Sequence, residues 1–412
     1  MKKNPLLVSL IFLIFFVISF LTNIIGPLVP DIIKSFDLSF KMASFLPLSF
    51  FVAYGLMSIP SGFLIETFGE KKIMIMAFLI SSMGAFLFAN TGTYSFYLVS
   101  LFLIGTGMAM LQVAINPLLR TIGGEKEFAF NSVFAQMFFG LASFISPLVY
   151  SYVINNANDQ GESNNLIINL LNIVKIPEME WVSLYWIFAI ISFIMVVIIS
   201  LIKLPFVEKK EDEKVGALQT HLMLLKKPIV LLYFIAIFCY VGTEVGVANW
   251  ISQFLETYHN INPQIQGAKT VSNFWGMMTL GTLLGLVLLK FIDSRKVLII
   301  NSIISILALL VALFGTSQQA LIAFPVIGFF IATMWSIIIS LALNSVSDSH
   351  GSFSGILVTG IIGGAFIPFI VGAIGDVFGL KTGLLFLILT LFFILSIGFW
   401  AKPLINNKTF SN

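Results

Sequence analysis

Charged residues are scarce in this sequence. Only 10% of the 412 residues are Asp, Glu, Lys or Arg, against about 25% in soluble domains. Hydrophobic residues make up 58% of the chain, and the mean hydropathy is +1.02. Water does not solvate a surface of this composition, so lipid must surround most of the chain. The sequence therefore predicts a polytopic membrane protein.

Cysteine and histidine are almost absent. The single cysteine, Cys239, excludes an internal disulfide framework and a multi-cysteine metal site. The three histidines, at positions 221, 259 and 350, lie far apart at or beyond predicted helix ends, so we expect no metal site and no other cofactor. A net charge of +3 in so long a chain also argues against a nucleic-acid partner.

Motifs for energy conversion and hydrolysis are missing as well. The chain has no GxxxxGK[ST] loop, which disfavours transport driven by ATP, and it has neither HExxH nor GxSxG. A lone carboxylate in mid-membrane has no partner for acid–base catalysis. We therefore expect that the protein is not an enzyme. A membrane-embedded enzyme and a channel are the alternative classes.

Apolar runs near the ~20 residues that cross a membrane recur along the whole chain. The first run begins as a secretory signal does, but it continues to Pro30 without a small-residue cleavage site, which favours a retained helix. The composition thus predicts an all-α membrane protein with twelve transmembrane helices. They are expected at about 6–30, 41–65, 73–90, 94–121, 128–154, 181–204, 228–257, 268–291, 297–315, 319–345, 353–377 and 380–402.

Two long connections interrupt this pattern. Residues 155–180 combine a polar stretch with the amphipathic LIINLLNIVKI, which either caps a cavity or covers the outer surface. The second connection is charged and lies at the midpoint, so we expect six-helix bundles at 1–204 and 228–412 joined by a linker at 205–227. A glycine and an acid recur at the ends of predicted helices 2, 8 and 11, as in transporters built from related bundles.

The basic residues predict the orientation. If the N-terminus is cytoplasmic, 17 of the 22 lysines and arginines lie on the cytoplasmic side. Cytoplasmic loops carry such an excess, so both termini are predicted to be cytoplasmic. We expect a monomer.

The stretch FCYVGTEVGVANWISQ, residues 238–253, holds the most informative residue. Glu244 lies near the centre of a predicted helix, where an acid costs roughly 3 kcal/mol and normally faces the protein interior or a watery cavity. It is the one charged residue that falls well inside a predicted apolar segment. Either it bonds a neighbouring helix or it carries an ion during transport, and we favour the second interpretation.

Six stretches together resemble the major facilitator superfamily, and more narrowly its fucose–proton symporter-like sugar transporters. They are TNIIGPLVP (22–30), GMAMLQVAINPLL (107–119), NSVFAQMFFG (131–140), FCYVGTEVGVANW (238–250), FIATMWSIIISLALN (330–344) and SGILVTGIIGGAFIPFIVGAIGD (354–376). The resemblance implies the major facilitator fold in a bacterial cytoplasmic (inner) membrane. It also implies import of a neutral hexose or amino sugar by alternating access, coupled to a cation gradient.

Two positions depart from the fucose symporters. Gly26 and Gln112 stand where those proteins have an aspartate and a glutamate tied to proton and sugar handling, so that proton mechanism does not carry over. The chain resembles the glucose/galactose and amino-sugar branch more closely, because that branch has a glutamine in helix 4 and a glutamate in helix 7. A proton carried by Glu244 is our first choice. The alternatives are sodium, with Asn249 and Thr243 as further ligands, and an exporter of amphipathic compounds.

Neutral amides and aromatic rings are the candidate substrate-binding residues. Gln112 and Asn116 lie four residues apart and share a helical face. Amides both donate and accept hydrogen bonds, as sugar hydroxyls require. The alternative role is bonding between helices, which contributes only ~0.6 kcal/mol per bond in a membrane. The full set is Asn23, Gln112, Asn116, Gln136, Asn249, Trp250, Asn273 and Trp335.

Charges at predicted helix ends form a third set. In the superfamily, the turn after helix 2 locks the outward-facing state through ion pairs. The candidates for such a gate are Glu66, Lys71 and Asp376, and a solvated run of charges is the alternative.

Overall fold

A computed structural model describes residues 5–123, 128–157, 166–204, 218–346 and 350–404. Within this part of the chain, twelve helices are long and apolar enough to cross a membrane, which confirms the predicted number. We number them spans 1 to 12. They are Pro5–Phe36, Phe40–Phe68, Glu70–Asn90, Tyr94–Gly123, Phe134–Ala157, Glu180–Leu201, Pro228–His259, Pro263–Leu288, Ser294–Phe314, Ser317–Leu343, Ser352–Phe378 and Leu380–Trp400.

Span 1 extends beyond its predicted end. The prediction stopped at Pro30, but a proline disrupts a helix only locally, and the helix continues to Phe36. It ends where Asp37 adopts a left-handed conformation (φ 49°) and its N–H bonds to the Ile33 carbonyl. Asp31 therefore lies on a helix, inside the span.

The two long connections contain short helices. The predicted amphipathic stretch forms the helix Leu166–Val174, whose Ile168 and Leu171 are buried. The predicted linker contains the helix Leu218–Leu225, and residues 205–217 lie outside the described part of the chain.

In the described part of the chain, three spans are interrupted away from their ends. Span 1 is interrupted by a turn at Asn23 and Ile24, span 10 by a turn at Ala332 and Thr333, and span 11 by the 3-10 turn Gly360–Ile362. Irregular backbone at membrane depth is tolerated only where it is buried in protein or lines a water-filled cavity. Substrate and ion sites of transporters are typically built at such discontinuous helices.

By packing, the chain divides into two compact units. Unit 1 comprises Met1–Glu208 and Asn249–Ser272, and unit 2 comprises Lys209–Ala248 and Asn273–Asn412. The 249–272 segment, which is the end of span 7 and the start of span 8, thus packs within unit 1. The predicted division at 204 and 228 stays a prediction, because packing in one structure does not show which parts move as one body.

Two of the three predicted repeat positions share their backbone geometry. Gly69 after span 2 and Gly379 after span 11 have φ of 81° and 85°, a region that favours glycine. Each N–H bonds to the carbonyl four residues earlier, at 2.8 Å and 2.9 Å. The third position differs, since the Asp293 carboxylate caps span 9 by accepting from the Arg295 N–H at 2.8 Å. Partial burial raises the pKa of Asp293, but the hydrogen bonds from Arg295 outweigh it, so the pKa is lowered.

Glycines bring helices into close contact in unit 2. A Cβ at Gly281 would overlap the backbone of Phe329, and one at Gly363 would overlap the backbone of Phe238. Backbone atoms cannot move aside as the end of a side chain can. These glycines therefore set the spacing between spans 8 and 10 and between spans 7 and 11.

We predict that Gly363→Ala destabilises the protein by about 1–3 kcal/mol, the usual penalty for overpacking. Gly92→Ala is the matched control, because a Cβ there meets no atom within 4 Å. Thermal unfolding of the purified proteins in detergent measures the difference. Equal melting of the two variants would contradict the close approach of spans 7 and 11.

Candidate functional site

Glu244 faces away from spans 11 and 12. Gly242 of span 7 lies against Ile367 of span 11, and Gly246 lies against Leu387 of span 12. Glu244 is two residues from each glycine, which is about 200° around an α-helix. Its side chain therefore projects from the opposite side of span 7.

A pair of threonine hydroxyls joins span 7 to span 12 next to Glu244. The Thr243 hydroxyl lies 2.6 Å from the Thr390 hydroxyl of span 12 and bonds to the Cys239 carbonyl at 2.8 Å. Both threonines are buried. This bond and the two glycine contacts hold the Glu244 backbone in place within unit 2.

Two aromatic residues lie beside Glu244. Tyr240 is one turn earlier on the same helix, and its hydroxyl interacts with the Glu244 carboxylate. The Tyr240 ring lies 6.0 Å from the ring of Trp335 on span 10. Glu244 and Trp335 are both half-buried. Unit 2 thus brings together an ionisable group, a hydroxyl and an apolar ring face, which suits an ion-linked site next to a surface for sugar C–H groups.

Asn249 and Trp250 lie in the 249–272 segment and are buried in unit 1. The Trp250 ring packs edge-on against Phe40, with centroids 5.8 Å apart and an interplanar angle of 86°. The Asn249 Nδ2 has no hydrogen-bond partner among the described residues. In this conformation Trp250 is a packing residue, and its role as a platform for substrate stays a prediction.

Asn23 lies at the break in span 1 and bonds two hydroxyls. Its Nδ2 donates to Ser143 Oγ at 2.8 Å and to Ser19 Oγ at 3.2 Å. The two serine hydroxyls lie 2.6 Å apart, so spans 1 and 5 are joined here. The geometry supports a bonding role between helices for the Asn23 amide nitrogen.

The remaining amides lie on three helices. Gln112 on span 4 and Asn273 on span 8 are half-buried, and Gln136 on span 5 is exposed. Asn116 lies on the span 4 helix, but its side chain is outside the described part of the structure. Substrate binding by these residues stays a prediction.

The predicted gate residues lie at helix ends. The Lys71 ammonium donates to the Ser200 carbonyl at 2.9 Å, which ties the start of span 3 to the end of span 6. Glu66 and Asp376 are exposed near the ends of spans 2 and 11. Whether they act as a lock stays a prediction.

Asp31 is a buried carboxylate inside span 1 that the sequence pattern did not reveal. Asp31 is only 8% exposed, and it accepts hydrogen bonds from the Tyr150 hydroxyl and from Gln264 Nε2, the latter at 2.8 Å. The available sign was the apolar helical pattern, which continues past Pro30 through Ile32 and Ile33. Because the predicted span ended at Pro30, Asp31 was not recognised as a residue within the membrane-spanning helix.

We predict that Ser143→Ala lowers the free energy of unfolding by about 0.5–1.5 kcal/mol, since it removes the Asn23 bond between spans 1 and 5. Ser95→Ala is the control, because Ser95 is exposed at the start of span 4. Thermal unfolding of both variants tests the role of Asn23. An unchanged stability of Ser143→Ala would contradict a stabilising role for this bond between spans 1 and 5.

Comparisons with known proteins agree with this architecture. The sequence profile of the Major Facilitator Superfamily matches residues 11–361. A Helicobacter pylori protein with the provisional name glucose/galactose transporter is 31% identical over 91% of this chain and 90% of its own length. A Brucella abortus glucose/galactose transporter is 28% identical over 90% of this chain and 88% of its own. The crystal structure of the Escherichia coli fucose:proton symporter matches with a TM-score of 0.67 and 23% identity, over 96% of this chain and 98% of that one.

Proposed function

Because the chain belongs to the Major Facilitator Superfamily, whose members are transporters and not enzymes, we propose that it imports a neutral hexose or amino sugar by alternating access. The observation that carries the proposal is the match to glucose/galactose transporters of two bacteria along about nine-tenths of this chain. The neutral amides and the half-buried Trp335 suit a substrate that presents hydroxyls and apolar ring faces.

Uptake is coupled to a cation gradient, and Glu244 is the ion-linked group. A carboxylate in a membrane helix is costly unless it has a function or a partner, and the Tyr240 hydroxyl beside it supplies no positive charge. A proton is favoured because a single carboxylate suffices to bind it. Sodium needs several oxygen ligands and is the alternative. Export of amphipathic compounds is the second alternative.

We propose the following cellular setting. The chain is a multi-pass membrane protein with twelve spans in its described part. We place it in a bacterial cytoplasmic membrane, surrounded by the lipid bilayer, as a monomer with both termini in the cytoplasm. The excess of lysine and arginine on one side supports this orientation.

Counterflow tests the substrate class. Proteoliposomes are preloaded with unlabelled glucose, galactose, fucose or N-acetylglucosamine, and entry of the same labelled sugar is followed without an ion gradient. We expect a transient overshoot with at least one of these sugars, because a carrier exchanges its substrate without net ion flow. Folded protein that gives no overshoot with any of the four would contradict the sugar assignment, and export of dyes would then favour the exporter.

The variant Glu244→Gln tests the ion-linked group. Glutamine keeps the shape of the side chain but takes up no proton, so we predict that gradient-driven accumulation is abolished while counterflow persists. Glu178→Gln is the control, because Glu178 is exposed between spans 5 and 6. Normal accumulation by Glu244→Gln would remove Glu244 from the mechanism. If uptake depended on the sodium gradient at constant pH, the coupled ion would be sodium and not a proton.

The variant Gln112→Ala tests a substrate amide. A lost hydrogen bond to a neutral hydroxyl corresponds to about a fivefold higher KM for the sugar. Gln318→Ala is the matched control, since Gln318 is exposed at the start of span 10. An unchanged KM in initial-rate uptake would assign Gln112 to bonding between helices.

A further inference from the structure

In the 249–272 segment, the side chain of Gln264 projects from the turn that starts span 8. Asn262 caps the turn that starts span 8, where its Oδ1 accepts from the N–H groups of Gln264 and Ile265 at 2.9 Å and 3.0 Å. Pro263 occupies the first position of this turn, and proline fixes its own φ. The backbone of Gln264 is therefore well defined, and its side chain projects from an ordered turn.

Gln264 reaches a buried carboxylate on span 1. Its Nε2 donates to Asp31 Oδ1 at 2.8 Å, while the Tyr150 hydroxyl of span 5 donates to Asp31 Oδ2. Asp31 is 8% exposed and Tyr150 is fully buried. One carboxylate thus joins span 1, span 5 and the 249–272 segment, all within unit 1.

Both direct partners of Asp31 are neutral donors. The charged groups that act on Asp31 electrostatically are Lys34 one turn later on span 1, Glu180 at the start of span 6, and Glu256 on span 7. Glu256 accepts a hydrogen bond from Gln253 Nε2 at 3.4 Å. The bond to Gln264 is therefore the direct polar link from Asp31 to the 249–272 segment.

The same segment leaves several buried polar atoms without hydrogen bonds. Asn249 Nδ2, Trp250 Nε1, Ser252 Oγ and Gln253 Oε1 have no partner among the described residues. Buried groups in this state are rare in folded proteins because each one opposes the buried conformation. Trp250 packs against Phe40 outside the segment, so its unpartnered Nε1 favours release, whereas the bond from Gln264 to Asp31 favours docking.

We propose that Asp31, oriented by Tyr150, is a latch that holds the 249–272 segment against the rest of unit 1. Release of the segment requires the bond between Asp31 and Gln264 to break. Alternating access needs elements that switch between two arrangements close in free energy, and a segment with a satisfied latch and unsatisfied neighbours meets that need. The latch does not depend on which solute or ion is carried.

Hydrogen–deuterium exchange of the full-length protein in detergent micelles or nanodiscs tests the latch. Gln264→Ala removes the donor and leaves the turn intact, because the Asn262 cap uses only the backbone of Gln264. We expect exchange of residues 260–272 to become about tenfold faster, the loss typical of a hydrogen bond to a charged acceptor. Gln266→Ala is the matched control, since Gln266 lies on the same turn with an exposed side chain and should exchange as the unaltered protein does.

A second set of variants separates the latch from a general loss of stability. Tyr150→Phe keeps the buried ring and removes the hydroxyl, and it should also speed exchange of residues 260–272 while leaving spans 9 and 12 unchanged. The double variant Asp31→Ala with Gln264→Ala should exchange no faster than Asp31→Ala alone, because both remove the same bond. Two results would overturn the proposal. The first is that Gln264→Ala exchanges no faster than Gln266→Ala. The second is that the effects of Asp31→Ala and Gln264→Ala multiply in the double variant.

Discussion

The cost of burying polar side chains away from water governs this structure. Lipid offers no hydrogen bonds, so each polar group in the spans needs a partner in the protein or a watery cavity. Thr243 meets this need through Thr390, and Asn23 meets it through two serines. Asp31 and Glu244 are ionisable, which makes them costly to bury in the spans. Asp31 accepts from Tyr150 of span 5 and from Gln264 of the 249–272 segment, and Glu244 has the Tyr240 hydroxyl of its own helix.

This constraint also separates stable packing from packing that can change. Where glycines let the backbones of spans 7 and 11 approach, the contact consists of apolar atoms and carbonyls already bonded within helices. The end of span 7 differs, because four buried polar atoms there, on Asn249, Trp250, Ser252 and Gln253, have no hydrogen-bond partner among the described residues. The polar groups in the first half of span 7 thus have hydrogen-bond partners, and several in its second half have none in the described part of the chain. The first half is therefore suited to holding an ion site, and the second half is suited to moving.

Much of the fold was predictable because lipid imposes one strong rule on composition. Runs of apolar residues predicted all twelve spans, and the glycine that recurs at the ends of helices 2 and 11 coincides with the matching backbone geometry of Gly69 and Gly379. What the pattern did not predict was which polar residue meets which. The pattern also did not predict that Trp250 packs against Phe40, since the rotation of a helix that is apolar on all sides is not visible in its sequence. Asp31 was missed because a proline was read as the end of a helix, whereas lipid-embedded helices tolerate internal prolines.

The central claim is that this chain moves a neutral sugar together with a cation that Glu244 binds. The most direct measurement uses weakly buffered proteoliposomes without any imposed gradient and a pH electrode in the external medium. Addition of the sugar that supports counterflow should make the external medium more alkaline, because each sugar that enters takes a proton with it. A sugar that enters without any change in external pH would contradict proton coupling. If labelled sodium entered with that sugar instead, the cation would be sodium.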